Sequence, residues 1–161
     1  MTDLELPELV IDVTPTFVVA SAIATRDFQD VHHDRDRAVD RGSKDIFINI
    51  LTTTGLVQRY VTDWAGPEAL VRKVAIRLGV PCYAGDTLTF SGRAAAADAG
   101  GEVEVTVTGR CSLGDHVTGT VRLVLPPGDG ELGSDREADA ADRGAAGADV
   151  AQVADAAGET A

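Results

Sequence analysis

The sequence predicts an α+β fold in which one antiparallel sheet wraps around a single long helix. Between residues 46 and 64, apolar residues recur at spacings of three and four, which is typical of a helix with one buried face. Between residues 72 and 125 the spacing changes to two, in segments separated by short glycine-containing turns, which is typical of neighbouring strands. A helix and a sheet that each have one apolar face bury those faces against each other.

The N-terminal part of the chain has the less regular pattern. Residues 16–24 (TFVVASAIA) are rich in β-branched side chains and predict a first strand. Residues 26–44 are polar and predict a loop with one short helical turn at 35–40. In this loop several aspartates surround the adjacent His32 and His33.

The long helix follows this loop. Ser43 or Asp45 can cap its start, because either side chain can accept a hydrogen bond from an unpaired backbone N–H. The Gly66-Pro67 pair ends it. Its predicted buried face consists of Ile46, Phe47, Ile50, Leu51, Val57, Tyr60, Val61 and Trp64.

Four further strands complete the pattern. They are predicted at 72–80, 86–94, 102–112 and 116–125. Because short turns join them, consecutive strands are expected to pair antiparallel. With the strand predicted at 16–24, the result is a sheet of about five strands around one helix, which is the layout of a hot-dog fold.

A change in composition divides the chain into a predicted domain at 1–127 and a tail at 128–161. The tail has eleven alanines, six glycines and no aromatic residue, and nine acidic residues against two basic ones. Such a segment cannot bury enough apolar surface to offset the entropy lost on ordering. We therefore expect the tail to be disordered.

The composition also excludes several classes of function. A formal net charge of -12 argues against binding to nucleic acids or to anionic membranes. The two cysteines, Cys82 and Cys111, lack metal-binding spacing and are expected to be reduced thiols. The N-terminal residues lack the basic and apolar regions of a signal peptide, so we expect a cytoplasmic protein.

The loop resembles the signature of the MaoC-like (R)-specific enoyl-CoA hydratases, G-D-x-N-P-[LIV]-H-x5-[AS]. Asp27 and His32 match its Asp and His, and Val31 and Ala38 match its aliphatic and small positions. The chain departs from the signature at three positions, which hold Arg26 for the Gly, Gln29 for the Asn and Asp30 for the Pro.

Three longer stretches, 24–39, 42–67 and 77–92, resemble the small subunit of the actinobacterial heteromeric steroid side-chain hydratases. This resemblance implies a hot-dog enzyme that works with a second MaoC-like subunit carrying an extra domain, in a heterotetramer. It also implies a reaction, in which water is added to a cholesterol-derived steroid enoyl-CoA during removal of the last side-chain carbons.

The same resemblance implies the site residues. Asp27 and His32 would form a catalytic dyad: His32 deprotonates the water and Asp27 orients it and relays a proton to Cα, or the roles are exchanged. The backbone N–H of Asn49, near the start of the long helix, would stabilise the enolate oxygen. CoA is part of the substrate, so neither a separate cofactor nor a metal is expected, and the CoA-binding residues remain unidentified.

Two alternatives stay open. The first is a non-catalytic scaffold or substrate-channel subunit, which the departures from the signature favour and the retained Asp27 and His32 oppose. The second is a hot-dog acyl-CoA thioesterase, whose catalytic carboxylate would come from the long helix. That helix offers only Asp45 and Asp63, at its ends.

The sequence predicts less specific roles for the residues that follow His32. His33 is expected to point away from His32 and to act in packing or in support of the site. Asp34 is expected to be solvated or to cap a turn. A metal site built from these three residues is disfavoured, because adjacent side chains rarely converge on one ion.

Overall fold

The computed structural model describes residues 4–125. The strands are β1 (Leu4–Val13), β2 (Leu70–Leu78), β3 (Asp86–Ala94), β4 (Glu102–Cys111) and β5 (Gly114–Val124). The helices are α1 (Pro15–Ala24), α2 (Arg35–Asp40) and α3 (Ile50–Ala65), and a single 3-10 turn, Asp30–His32, precedes α2. The predicted division after residue 127 and the predicted tail lie outside the described residues and stay predictions.

The five strands form one antiparallel sheet in the order β1-β3-β4-β5-β2. α3 packs its apolar face against this sheet, which confirms the predicted hot-dog layout. Over residues 4–125, none of the helices has the length and hydropathy needed to span a membrane.

The predicted pairing of β2 with β3 is wrong. β2 lies at the edge of the sheet beside β5, although β3 follows it in the chain. The connecting segment does not turn back as a hairpin, because it pairs with the residues before α3. Cys82 O accepts the N–H of Ile48 at 3.1 Å, and Phe47 forms an isolated bridge with Tyr83.

The predicted strand at 16–24 is also wrong, since these residues form α1. Thr14 caps the helix by accepting a hydrogen bond from the N–H of Phe17 at 3.0 Å, and Pro15 occupies the first turn, where it needs no N–H partner. These start signals override the β-branched composition. The first strand is β1, whose register shift between Leu6 and Leu9 accommodates a proline in the edge strand.

α3 begins later than predicted. Its N-cap is Asn49, and neither Ser43 nor Asp45 caps it. The helix ends as predicted, with Gly66 at a φ of 89° after the last residue. The buried face is confirmed at Val57, Tyr60, Val61 and Trp64, whereas Ile50 and Leu51 are exposed.

α3 approaches the sheet closely at a glycine. A Cβ added to Gly92 on β3 would lie 2.9 Å from Tyr60 Cε1 and 2.9 Å from Thr106 O. The Tyr60 ring stacks on Phe90, with ring centroids 5.8 Å apart. The missing side chain at Gly92 thus makes room for the Tyr60 ring between the helix and the sheet.

Candidate active site

Asp27 is placed by the end of α1. The N–H of Arg26 donates to Ile23 O at 3.0 Å, and the N–H of Asp27 donates to Ala22 O at 2.9 Å. These two bonds form a Schellman motif, which closes a helix and satisfies its last carbonyls. The backbone of Asp27 is therefore fixed directly by the helix.

Arg26 occupies the left-handed position of this motif, with a φ of 57°. Glycine adopts this conformation without steric cost, whereas a residue with a Cβ loses roughly 1–2 kcal/mol. The hydratase signature has glycine here. The replacement by Arg26 therefore preserves the backbone path to Asp27, at a cost in stability.

His32 ends the 3-10 turn and is buried. Its Nδ1 lies 2.7 Å from the carbonyl oxygen of Phe47. A carbonyl can only accept, so Nδ1 carries the proton, and Nε2 of the neutral ring carries a lone pair. The Phe47 ring also contacts the His32 ring edge to face, with centroids 4.9 Å apart.

The structure brings Asp27 and His32 together. His32 Nε2 lies 3.5 Å from Asp27 Oδ2, and the side chains are 7% and 15% exposed. This separation is long for a direct hydrogen bond, but it allows both atoms to contact a single water molecule. The arrangement offers a basic nitrogen and a carboxylate to that water.

Asn49 joins the start of α3 to the end of α1. Its Oδ1 accepts the N–H of Thr52 at 2.7 Å, and its Nδ2 donates to Thr25 Oγ1 at 2.8 Å. The side chain is buried. Because Thr25 lies two residues before Asp27, Asn49 ties the predicted oxyanion donor to the segment that carries the carboxylate.

The backbone N–H groups at the start of α3 lack the intrahelical partners that later residues of the helix have. Within residues 4–125, the N–H groups of Asn49, Ile50 and Leu51 have no hydrogen-bond acceptor. They lie at the positive end of the helix dipole, where a developing negative charge is stabilised.

The neighbours of His32 have other partners. His33 is exposed, and its Nε2 lies 3.2 Å from the carbonyl oxygen of Phe28, the residue after Asp27. Asp34 caps α2 by accepting the N–H of Arg37 at 3.0 Å. His32, His33 and Asp34 therefore point to different partners.

Across residues 4–125, one other cluster has the composition of a metal site. The ligand atoms of Cys82, Asp86 and Cys111 lie within 4.8 Å of one another, and both cysteines are free thiols. Burial raises the pKa of Cys82 to about 12, so a metal ion would have to displace its proton. The Asp86 carboxylate already accepts hydrogen bonds from Thr87 N and Ser112 Oγ.

Exposed apolar side chains lie on the segments that carry the site. Ile23 is on the last turn of α1, Phe28 follows Asp27, and Ile50 and Leu51 begin α3; each is more than half exposed. We call these four residues the apolar rim. Their exposure on the segments of the site makes them candidates for contact with a substrate or a partner.

Two surface depressions lie elsewhere, with volumes of about 310 and 610 Å³. Their linings come from β1, β3, β4 and adjacent residues, and include neither Asp27 nor His32. The residues of the apolar rim are also absent from both linings.

Comparison with known proteins identifies a close relative. No protein-family model matches the chain. The chain is 66% identical over 120 residues to the 3-oxo-4,17-pregnadiene-20-carboxyl-CoA hydratase beta subunit of Mycobacterium tuberculosis. The aligned region covers 74% of this chain and 92% of that protein.

Solved structures give the same picture. The chain resembles one chain of the ChsH1-ChsH2 complex from Mycobacterium tuberculosis with a TM-score of 0.75 and 62% identity, over 78% of this chain and 98% of that one. It also resembles the (R)-hydratase from A. caviae involved in PHA biosynthesis, with a TM-score of 0.71 over 78% of this chain and 97% of that one. At 18% identity, this second likeness supports the fold alone.

Proposed function

The chain belongs to the family of the 3-oxo-4,17-pregnadiene-20-carboxyl-CoA hydratase beta subunit, and from this premise we propose that it is the small subunit of a heteromeric enoyl-CoA hydratase. The resemblance to MaoC-like hydratases is thereby confirmed. The proposed reaction adds water across the 2-enoyl double bond of a steroid side-chain acyl-CoA.

This reaction sets three chemical requirements. Water must lose a proton as its oxygen attacks Cβ, a proton must reach Cα, and the thioester oxygen must be stabilised as negative charge develops on it. The observation that carries the proposal is the Asp27–His32 pair, whose segment is joined to the start of α3 by the hydrogen bond from Asn49 to Thr25.

We assign the base to His32. The hydrogen bond from Nδ1 to Phe47 O leaves the lone pair on Nε2, which faces Asp27 Oδ2. A water bound between the two atoms would lose its proton to Nε2 while the carboxylate orients it. The proton now on Nε2 would pass to Asp27 Oδ2, 3.5 Å away, and from Asp27 to Cα as the new C–H bond forms, or the two side chains would exchange these roles.

We assign the stabilisation of the enolate oxygen to the backbone N–H of Asn49. The N-cap geometry and the bond to Thr25 hold this residue in place, and a backbone donor does not depend on the identity of the side chain. The neighbouring N–H groups at the start of α3 add to the positive potential there.

We propose that a second MaoC-like subunit completes the site, in a heterotetramer. One relative of known structure is a chain of a complex of two different proteins. The apolar rim is consistent with this assignment, because its exposed side chains would be buried by a partner or by a large apolar substrate. A cholesterol-derived steroid ring system is apolar, as the rim is.

We propose the cytoplasm as the location, because both cysteines are free thiols and reduced thiols are typical of that compartment.

The thioesterase alternative has less support. Asp63 pairs with Arg59 on an exposed face of α3, at 3.3 Å. Asp45 precedes the helix and pairs with Arg35 at 3.0 Å. Neither carboxylate lies in the middle of α3, where such an enzyme would need one.

The experiment that tests the proposal measures loss of enoyl absorbance with a steroid 2-enoyl-CoA. The chain is assayed alone and with its MaoC-like partner, and free thiol is measured in parallel. Hydration by the complex is the expected result. Release of free CoA without hydration would favour the thioesterase, and hydration at an equal rate by the partner alone would favour the scaffold.

A further inference from the structure

A second buried histidine lies on the other side of the α3 start. His116, on β5, is 3% exposed, and Thr53, in the first turn of α3, is 0% exposed. His116 Nε2 lies 2.9 Å from Thr53 Oγ1, and His116 Nδ1 lies 2.7 Å from Val80 O. One imidazole therefore joins α3 to the segment after β2.

The hydrogen atoms in this group can be assigned. Val80 O can only accept, so Nδ1 of His116 carries a proton. Burial lowers the pKa of His116, which favours the neutral ring at neutral pH. Nε2 then has a lone pair, and the hydroxyl of Thr53 is its donor.

Thr53 Oγ1 has a second possible partner. It lies 3.1 Å from the carbonyl oxygen of Asn49, one helical turn earlier. A threonine hydroxyl that bonds to the carbonyl four residues back bends a helix slightly. His116 Nε2, at 2.9 Å, competes with this carbonyl for the single hydroxyl proton, and its bond holds the first turn of α3 against the sheet.

We propose that His116 and Thr53 are positioning residues for the proposed hydratase site, because they fix the first turn of α3 and so the direction of its N–H groups. This inference rests on the proposed function. The Asn49–Thr25 bond holds the helix start from the α1 side, and the Thr53–His116 bond holds it from the sheet side.

The test compares two variants of Thr53 in the assembled hydratase. Thr53→Val keeps the shape and removes the hydroxyl, whereas Thr53→Ser keeps the hydroxyl. We expect Thr53→Val to lower kcat by about tenfold with KM nearly unchanged, because small misplacement of a catalytic group acts in the transition state. Thr53→Ser should retain most of the wild-type kcat.

A third variant approaches the same bond from the other side. In His116→Asn the amide can still donate to Val80 O, but it lacks an acceptor at the position of Nε2. It should lower kcat as Thr53→Val does, and the double variant should show no further loss, because both changes break one bond.

The outcomes separate the inference from the proposed function. A wild-type complex without hydratase activity overturns the proposed function itself. An active complex in which Thr53→Val lowers the melting temperature but leaves kcat unchanged overturns the positioning role. Additive losses in the double variant also overturn it.

Discussion

His32 donates its Nδ1 proton to the carbonyl oxygen of Phe47 across 2.7 Å, and this bond determines which ring nitrogen can act as a base. The residues before α3 therefore orient the ring as well as leading into the helix. Phe47 itself is held by its bridge to Tyr83. The site thus depends on pairing between two connecting segments that are distant in sequence.

The cap of α3 should contribute measurably to stability. Asn49→Ala removes the acceptor for the N–H of Thr52 and the bond to Thr25, so we expect a loss of about 1–2 kcal/mol in the free energy of unfolding. Asn49→Asp keeps the cap acceptor and should lose less. Urea denaturation of the three proteins measures the difference, and an equal stability of Asn49→Ala and wild type would contradict the assignment.

Replacement of Arg26 should stabilise the protein. Arg26→Gly relieves the left-handed strain at a φ of 57°, and we expect a gain of about 1 kcal/mol in the free energy of unfolding. Arg26→Ala is the matched control, because it removes the guanidinium and keeps the Cβ. If both variants gain equally, the charge and not the backbone strain is the cause.

Replacement by alanine should change the stability of the protein in opposite directions at two glycines. Gly92→Ala places a Cβ 2.9 Å from backbone oxygen and from the Tyr60 ring, and should destabilise the chain by about 1–3 kcal/mol. Gly55→Ala, on the exposed face of α3 with open space around it, should stabilise the chain by about 0.5–1 kcal/mol. Thermal denaturation monitored by circular dichroism distinguishes the two signs.

Asp86 should contribute to the acid sensitivity of the fold. Burial acts to raise its pKa, but hydrogen bonds from Ser112 and Thr87 outweigh burial and hold the pKa below the ordinary value of 3.8. A lowered pKa in the folded state means that the contribution is present above pH 3.8 and is lost as the pH falls through the folded pKa. Asp86→Asn should therefore show a shallower loss of stability on the acid side than wild type.

The regular elements could be predicted because their periodicity is local. The spacing within 86–94 and 102–111, and the apolar positions of 57–64, follow from side chains facing one core. Residues 16–24 were misassigned because their β-branched composition competes with the signals at Thr14 and Pro15, which decide the outcome. The edge position of β2 depends on long-range pairing and leaves no local signal.

The site could be predicted only in part, and for a related reason. Asp27 and His32 are recognisable by their spacing within the signature. Their catalytic role in this chain stays a prediction. Phe47 orients His32 through its backbone carbonyl oxygen. Every residue has this group, so the sequence does not indicate which carbonyl will serve. Thr53 and His116 are 63 positions apart, so only the fold brings them together.

The most direct test of the central claim, that this chain supplies the base, compares His32→Ala with His33→Ala in the assembled complex. Both remove an imidazole from adjacent positions, but only His32 faces Asp27. We expect His32→Ala to lower kcat for hydration of a steroid enoyl-CoA by about 10²-fold or more, and His33→Ala to change it by less than about threefold. Full hydration by His32→Ala would contradict the account and place the catalytic site in the partner subunit.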